Sequence, residues 1–282
     1  MAGEATLRRQ IGELVQDEDG VRVVRHQSVR DLAAANGCSI REVELAALEA
    51  GVVPWRYVRN VGTIGLDGQA KLLRSTAAVA GLGGLGGYVT EALARMGVGR
   101  LILIDGDVFE EHNFNRQLLS GEAKLGIPKA DAARRRVAEV NSAVEVTAHA
   151  AMLARESLPQ LLEGADVVVD ALDRLPVRLV LQEGVQALGI PLVHGSVAGF
   201  LGQVMTIFPG DPGLRALYGG AGELPERGLE AQLGTPAATP MAVAAWEAQE
   251  VVKVLTGCGE PLRNRLLVMD METGSVDFLQ LG

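Results

Sequence analysis

Residues 76–97 set the tightest limit on what this chain can fold into. A short apolar run, Thr76-Ala77-Ala78-Val79-Ala80, leads into Gly81-Leu82-Gly83-Gly84-Leu85-Gly86, and Tyr88 to Met96 follows with helical spacing until Gly97. Strand, glycine turn and helix in that order describe a βα junction in which glycines let the backbone turn sharply and come close to a phosphate. The helix N-terminus behind the turn offers free N–H groups and the positive end of its dipole. A second apolar run, Leu101-Ile102-Leu103-Ile104, ends in Asp105, 19 residues after Gly86. A carboxylate at that place suits the hydroxyls of a ribose. The alternative is a tight turn with no ligand; the strand and the acid together favour a nucleotide site, without separating NAD from ATP.

The chain beyond the turn repeats the strand–helix alternation. Lys129 to Val140 reads as a helix, Val144 to Ala148 as a strand, Leu158 to Leu162 as a helical turn and Val167 to Val169 as a buried strand ending in Asp170. Leu175 to Leu188 is a helix, Pro191 to Val193 a strand and Val204 to Phe208 another. Alternation of this kind predicts a mostly parallel sheet covered on both faces. Residues 209–240 are rich in Gly and Pro and read as a long loop. Met241 to Leu255 is a helix, and Arg265–Met269 with Ser275–Leu279 form a closing hairpin.

The first 50 residues differ. They are charged and helical in pattern, with one helix at Ser28 to Ala35 and a second at Ile40 to Glu49. Ser39 with Glu42 has the form of a capping box ahead of that second helix. Two short helices around Asn36-Gly37 allow a DNA-reading helix-turn-helix, but an acidic second helix would repel phosphates. The organisation expected is a small helical N-terminal extension over 1–50 and a larger α/β unit over 51–282.

Composition narrows the function classes. The chain has 282 residues, 48% of them apolar, and a formal net charge of −9, which opposes general nucleic-acid binding. Cys38 and Cys258 are the two cysteines, too few for a four-thiolate zinc site or a disulfide framework. No N-terminal segment has the pattern of a signal peptide, and no uncharged apolar stretch approaches about 18 residues. A soluble protein of a reducing, cytoplasmic compartment is expected.

The residues after Asp105 carry the chemistry: Asp105-Gly106-Asp107-Val108-Phe109-Glu110-Glu111-His112-Asn113-Phe114-Asn115-Arg116-Gln117. Hydride transfer has no use for Arg116 and Gln117 here, whereas cleavage of a triphosphate does. A guanidinium forks onto phosphate oxygens, and Asn113 adds a neutral donor. Lys129, at a helix start, brings a mobile point charge. Asp173, just past a strand end in Asp170-Ala171-Leu172-Asp173, is placed to hold Mg2+ against phosphates.

These four blocks, in this order and spacing, resemble the MoeB, ThiF and HesA proteins, the E1-like adenylating enzymes related to ubiquitin-activating E1. The family pattern runs G-x-G-G-x-G, D-x-D-x-V-x-x-x-N-x-x-R-Q, a Lys, and D-x-x-D. Arg56-Tyr57-Val58-Arg59-Asn60 is similar to the family's R-Y-x-R-Q entry, and Gly195, Gly199, Gly202-Gln203 and the helix from Trp246 to Leu255 match its later elements. The resemblance covers roughly residues 54 to 282.

It implies a Rossmann-like E1-type adenylation fold, mostly parallel with antiparallel C-terminal strands. It implies that Gly81, Gly83, Gly84 and Gly86 form the nucleotide loop, that Asp105 holds the ribose, and that Asn113, Arg116, Gln117 and Lys129 surround the triphosphate of ATP. Asp173 would bind Mg2+, and Arg59 would reach the phosphate site of a neighbouring subunit, so a homodimer is implied. The substrate would be the C-terminal Gly-Gly carboxylate of a small β-grasp sulfur-carrier or ubiquitin-like protein, with no DNA or membrane as partner.

Departures from the family pattern are also legible. Many bacterial members carry two C-x-x-C pairs for zinc; this chain has none, so no zinc is expected. Ala231-Gln232-Leu233-Gly234-Thr235-Pro236 lacks the cysteine many members have there, and Arg174 stands where Asn is usual. Cys258 reads as a loop thiol and Cys38 as a helix-junction residue. Arg178 is placed to pair with Asp173 or Asp170, Asp107 to organise its loop, His194 to pack, and Arg134-Arg135-Arg136 to form a solvated face. Three other readings compete: an NAD-dependent oxidoreductase on the same fold, a relative acting on a tRNA carboxylate, and a nucleotide-binding module without turnover.

Overall fold

The computed structural model describes residues 2–218, 228 and 230–281. The first elements are α1 (Ala2–Glu13), β1 (Gln16–Glu18), β2 (Val21–Val24), α2 (His26–Asn36), α3 (Ile40–Glu49) and β3 (Val53–Pro54). The capping box forms as expected: the Glu42 N–H donates to Ser39 Oγ at 3.2 Å while Glu42 Oε2 accepts from the Ser39 N–H at 2.7 Å. The N-terminal segment is more than the two helices read from sequence. It also has the helix α1 and a three-stranded sheet, a β1–β2 hairpin extended by β3. Leu7, Ile11, Val24, Val29, Leu32, Val43 and Ala47 close a small core of their own.

Next come α4 (Val58–Arg74), interrupted at Gly65, then β4 (Thr76–Ala80), α5 (Gly86–Met96), β5 (Arg100–Ile104), α6 (Lys129–Val140) and β6 (Glu145–His149). They are followed by α7 (Leu158–Leu161), β7 (Val167–Asp170), α8 (Leu175–Leu188), β8 (Leu192–Ala198) and β9 (Leu201–Ile207). Short helices α9 (Leu214–Tyr218) and α10 (Glu230–Leu233), the long α11 (Ala238–Thr256), β10 (Arg265–Asp270) and β11 (Ser275–Gln280) complete the chain. The expected long loop over 209–240 is thus replaced by α9, α10 and the first turn of α11, while its stretch at 219–227 and 229 lies outside the described residues.

One eight-stranded sheet runs in the order β11-β10-β9-β8-β7-β4-β5-β6. β6, β5, β4, β7 and β8 are parallel, and β8 through β11 pair antiparallel. This is the expected mixed α/β architecture. Side chains alternate across the strands, so each strand feeds two cores. Val79, Leu101, Leu103, Val169 and Val193 meet α5, α6 and α11 on one face. Ala78, Ala80, Ile102, Ile104 and Val168 meet α7 and α8 on the other. Burial on both faces is why these strands read as continuous apolar runs.

A buried polar seam joins the N-terminal segment to the sheet. Glu44 of α3 is 1% exposed. Tyr57 Oη donates to Glu44 Oε2 at 3.0 Å, Asn141 Nδ2 donates to Tyr57 Oη at 2.9 Å, and Arg56 Nε lies 3.3 Å from Glu44 Oε1. Burial pushes the Glu44 carboxyl up to about 7, against the opposing pull of Arg56. Among the described residues no helix is long and apolar enough to cross a membrane.

Candidate nucleotide site

The sheet order places β4 between β5 and β7, the two strands that follow it in opposite directions across the sheet. A parallel sheet opens a crevice beyond the carboxyl ends of such strands. There the turn after Ala80, the acid after Ile104 and the loop after Asp170 converge on one cleft of about 1200 Å³.

Gly81 shows why this turn takes glycine. Its φ is +90°, and a Cβ there would meet the Ala171 carbonyl oxygen at 2.6 Å. The nucleotide turn and the loop after β7 are therefore in backbone contact. Gly83 and Gly84 line the cleft and face Gln117 and Arg116 at 3.5 Å from the Cβ positions they lack. Gly86 opens α5 and lies against the Gly81 carbonyl rather than in the cleft.

Asp105 lines the cleft and organises it. Oδ2 accepts the Leu82 N–H at 2.7 Å and Oδ1 accepts the Asp107 N–H at 2.8 Å. Burial raises its carboxyl above the usual range, opposed by Lys129 and by these two hydrogen bonds. Each oxygen keeps a lone pair for a hydroxyl. Lys129 is 7% exposed and extends Nζ to Asp107 Oδ2 at 3.0 Å. Asp107 thus does more than shape its own loop, since it holds the lysine at the cleft wall.

Arg116 donates through Nη1 to the His112 carbonyl at 3.0 Å and to Asn115 Oδ1 at 2.8 Å. Burial lowers its pKa, while the nearby Asp173 charge raises it, so the two side chains share one electrostatic field. Asp173 is exposed in the cleft, beside Arg174. Gln117 is 6% exposed, and its Oε1 is a buried acceptor without a partner among the described residues.

Besides Gly86, two of the site residues read from sequence, Asn113 and Arg59, do not line this cleft. Asn113 is buried, and its Oδ1 accepts the Glu110 N–H at 3.0 Å. It caps the turn that delivers Arg116 and is not among the residues lining the cleft. Arg59 is exposed on α4, outside the cleft of its own chain. Ser196 and Gln203 were not singled out as cleft residues from sequence. They continue the cleft over the antiparallel strands, with Ser196 Oγ donating to Gln203 Oε1 at 3.3 Å. The β8–β9 register that pairs these two residues was the missing signal.

Neither cysteine reaches the cleft. Cys258 packs against the core beside Ile64, and Cys38 packs on the N-terminal core, where burial raises its thiol. Arg136 corrects the expected solvated face: Nε and Nη2 donate to Glu91 at 2.8 Å, tying α6 to α5. His194 is fully buried, as a packing role requires.

Mg2+ needs one or two carboxylates plus phosphate oxygens and water, not a full protein cage. A single exposed carboxylate in the cleft, Asp173, close enough to Arg116 to raise its pKa, meets that requirement.

The comparisons with known proteins agree with this geometry. The SAMP-activating enzyme E1 of Haloferax volcanii is 38% identical over 220 residues, covering 76% of this chain and 80% of that protein. The adenylyltransferase and sulfurtransferase MOCS3 of Drosophila yakuba is 36% identical over 226 residues, 78% of this chain. The chain spans about half the length of that relative. Among solved structures, E. coli MccB with ATP superposes with a TM-score of 0.70 at 24% identity, over 80% of this chain and 72% of that one, a likeness of fold. The ThiF family model matches residues 57–282, from the tyrosine of the seam to the last residue of the chain, and the protein belongs to the ThiF family.

Proposed function

We propose that this protein is an ATP-dependent adenylyltransferase that activates the C-terminal Gly-Gly carboxylate of a small β-grasp sulfur-carrier or ubiquitin-like protein and releases pyrophosphate. The observation that carries the reading is the convergence of Arg116, Lys129 and Asp173 on the glycine turn, in one cleft at the strand ends. A hydride-transfer enzyme has no need of two cations and a carboxylate around the phosphates. The relatives named for E1 activation and adenylyltransfer support the same chemistry.

The reaction begins with a carboxylate already ionised at neutral pH, so no general base is required. One carboxylate oxygen attacks the α-phosphorus of ATP, the bond to the bridging oxygen breaks, and pyrophosphate leaves with the electron pair. Both reactants are anionic. Arg116 and Lys129 offset that repulsion and the charge that builds on the leaving group. Asp105 fixes the ribose, and the N–H groups of the glycine turn and the α5 N-terminus hold phosphate oxygens. Asp173 would hold Mg2+, which when bound adds charge neutralisation at the phosphates. The carrier tail would enter over Ser196 and Gln203, the end of the cleft away from the glycine turn.

Residues 1–50 act in this reading as a helical extension and 51–282 as the adenylation domain, stitched together by β3. The protein works as a cytoplasmic homodimer in which Arg59 of each subunit serves the phosphate site of the other. Its position outside its own cleft supports that assignment. The test is ATP–pyrophosphate exchange with each Gly-Gly-terminated small protein from the same genome, with Asp173→Ala as control. Carrier-dependent exchange lost in the variant is expected. Tight ATP binding without exchange on any carrier would overturn carrier activation.

A further inference from the structure

Beneath the loop that carries Asp173 lies a buried group of ionisable side chains to which the proposed chemistry assigns no task. Asp170 ends β7, Arg178 lies in the first turns of α8, His194 is in β8 and Glu247 is in α11. Asp170, His194 and Glu247 are fully buried and Arg178 is 8% exposed.

Arg178 uses its fork on two separate pieces of backbone. Nη2 donates to the Leu172 carbonyl, and Nη1 donates to the Gly195 carbonyl at 3.0 Å. Asp170 holds the other side of the same residue, since Oδ1 accepts the Leu172 N–H at 3.2 Å. Leu172 is gripped at both backbone groups, and the next residue is Asp173. The neighbour on the other side is gripped as well: the Ala171 N–H donates to the Ala80 carbonyl at 2.9 Å, beside the nucleotide turn.

The charges in the group are consistent with this arrangement. His194 Nδ1 lies 2.7 Å from Asp170 Oδ2, a hydrogen bond when the proton sits on Nδ1. Burial lowers the His194 pKa, so the imidazole is neutral. Burial and the adjacent Asp170 raise Glu247 well above the usual range, which favours its protonated form. That leaves Asp170 as the anion facing Arg178. Glu247 also presses on the second gripped strand, because a Cβ on Gly195 would overlap its carboxyl group. An apolar side chain would fill this space without the desolvation a guanidinium costs. What the fork alone does is fix a carbonyl of the loop after β7 and a carbonyl within β8 relative to each other.

We propose that Arg178 is a positioning residue that acts on bound nucleotide through Asp173: by tying the Leu172 carbonyl to that of Gly195 it holds the 171–174 loop with the carboxylate aimed at the phosphates. Arg178 borders the cleft, yet its donors go to protein carbonyls. The nucleotide part of this inference rests on the ATP and Mg2+ reading above. The loop part does not.

The test uses the full chain as wild type, Arg178→Lys, Arg178→Gln and Asp173→Asn. Hydrogen exchange on ligand-free protein reads the loop. Arg178→Lys keeps a positive charge beside Asp170 but cannot span both carbonyls, so amides at 171–174 exchange at least about tenfold faster, the factor for one lost charge-assisted hydrogen bond. The rest of β7 and β8 keeps its protection. ATP affinity is then measured with Mg2+ and with EDTA. Wild type tightens with Mg2+; Arg178→Lys and Arg178→Gln lose most of that gain, as Asp173→Asn does, and the charge-conserving Arg178→Lys loses it with little change in its affinity in EDTA. Wild-type exchange at 171–174, an undiminished Mg2+ gain, or a uniform loss of protection across the sheet in both Arg178 variants would overturn the proposal. Failure of wild type to bind ATP would overturn the adenylation reading and the nucleotide part with it, and the exchange data would still decide the loop claim.

Discussion

Glu44 and Glu247 both lie on helix faces turned away from water, and they show two ways a fold can house a carboxyl group. Glu44 sits at the seam between the N-terminal segment and the sheet, with Tyr57 donating to one oxygen and Arg56 beside the other. Glu247 sits under the nucleotide site, and neither of its oxygens has a hydrogen-bond partner among the described residues. At the seam, partners bring the titration back to about 7 despite burial. Under the site, burial and Asp170 favour the protonated acid. A partnered acid joins two parts of a chain and responds to pH near neutrality. An unpartnered neutral acid fills volume and lets a neighbouring ion pair stand as the sole charge pair of its group.

The sharpest way to break that contrast is at the ion pair. Burial alone would raise the Asp170 carboxyl, but Arg178 together with the His194 and Leu172 hydrogen bonds outweighs it and holds it low. Asp170→Ala strands the guanidinium in a site with no other anion, and the expected loss of folding stability is about 3–5 kcal/mol. Urea denaturation at pH 7 measures it. A loss under about 1 kcal/mol would mean that Glu247 ionises to replace Asp170, and the two acids would no longer be opposites.

The seam acid predicts a pH effect of comparable size. The folded protein holds the Glu44 proton up to about 7, whereas the unfolded chain releases it near 4.5. This contribution to stability is complete below pH 4.5 and is lost as pH rises through about 7. Its size is on the order of 3 kcal/mol from the separation of the two values. Urea midpoints between pH 5 and pH 8 should fall for wild type and flatten in Glu44→Gln, which keeps an acceptor for Tyr57 and cannot ionise. Equal slopes in the two proteins would remove Glu44 as the cause.

What the sequence showed and hid follows from how each residue does its work. The parallel strands were legible because burial on both faces leaves uninterrupted apolar runs such as Val167-Val168-Val169. β8 and β9 were read short, at 191–193 and from 204. His194-Gly195-Ser196 and Gly202-Gln203 interrupt the apolar pattern, and cross-strand pairing of Gly195 with Val204 carries the strands through. α4 went unread because Gly62, Gly65 and Gly68 break its periodicity, and Gly65 is a kink. The β1–β2 hairpin had an available signal: Asp19-Gly20 takes φ values of +52° and +82°, the turn that Asp-Gly favours between strands. At the site, the glycine turn, Asp105 and Asp173 were legible from their places after strand ends, and Arg116 and Lys129 from their spacing after Asp105; the structure brings them to one cleft. Asn113 has a capping bond in the structure, and a capping side chain and a ligand-binding one look alike in sequence. The Arg178 fork and Glu247 depend on four elements meeting in space, and no local pattern encodes that.

The smallest expected effect tests the other half of the comparison. If Glu247 is a neutral acid at pH 7, Glu247→Gln changes neither charge nor volume appreciably, and stability should stay within about 0.5 kcal/mol of wild type. The groups facing it give the sign at higher pH. Asp170 from β7 disfavours its ionisation and Arg178 from α8 favours it, and burial adds to the first. The folded value therefore stands above the unfolded one, so wild type loses stability as pH rises through the folded value while Glu247→Gln does not. The two proteins should match in urea where the acid is protonated and diverge as pH rises, with the variant the more stable. A variant already weaker by about 2 kcal/mol at pH 7 would show that the wild-type carboxylate is ionised and shares Arg178 with Asp170. The guanidinium would then answer to two anions, and the site-side acid would be a partnered one like Glu44.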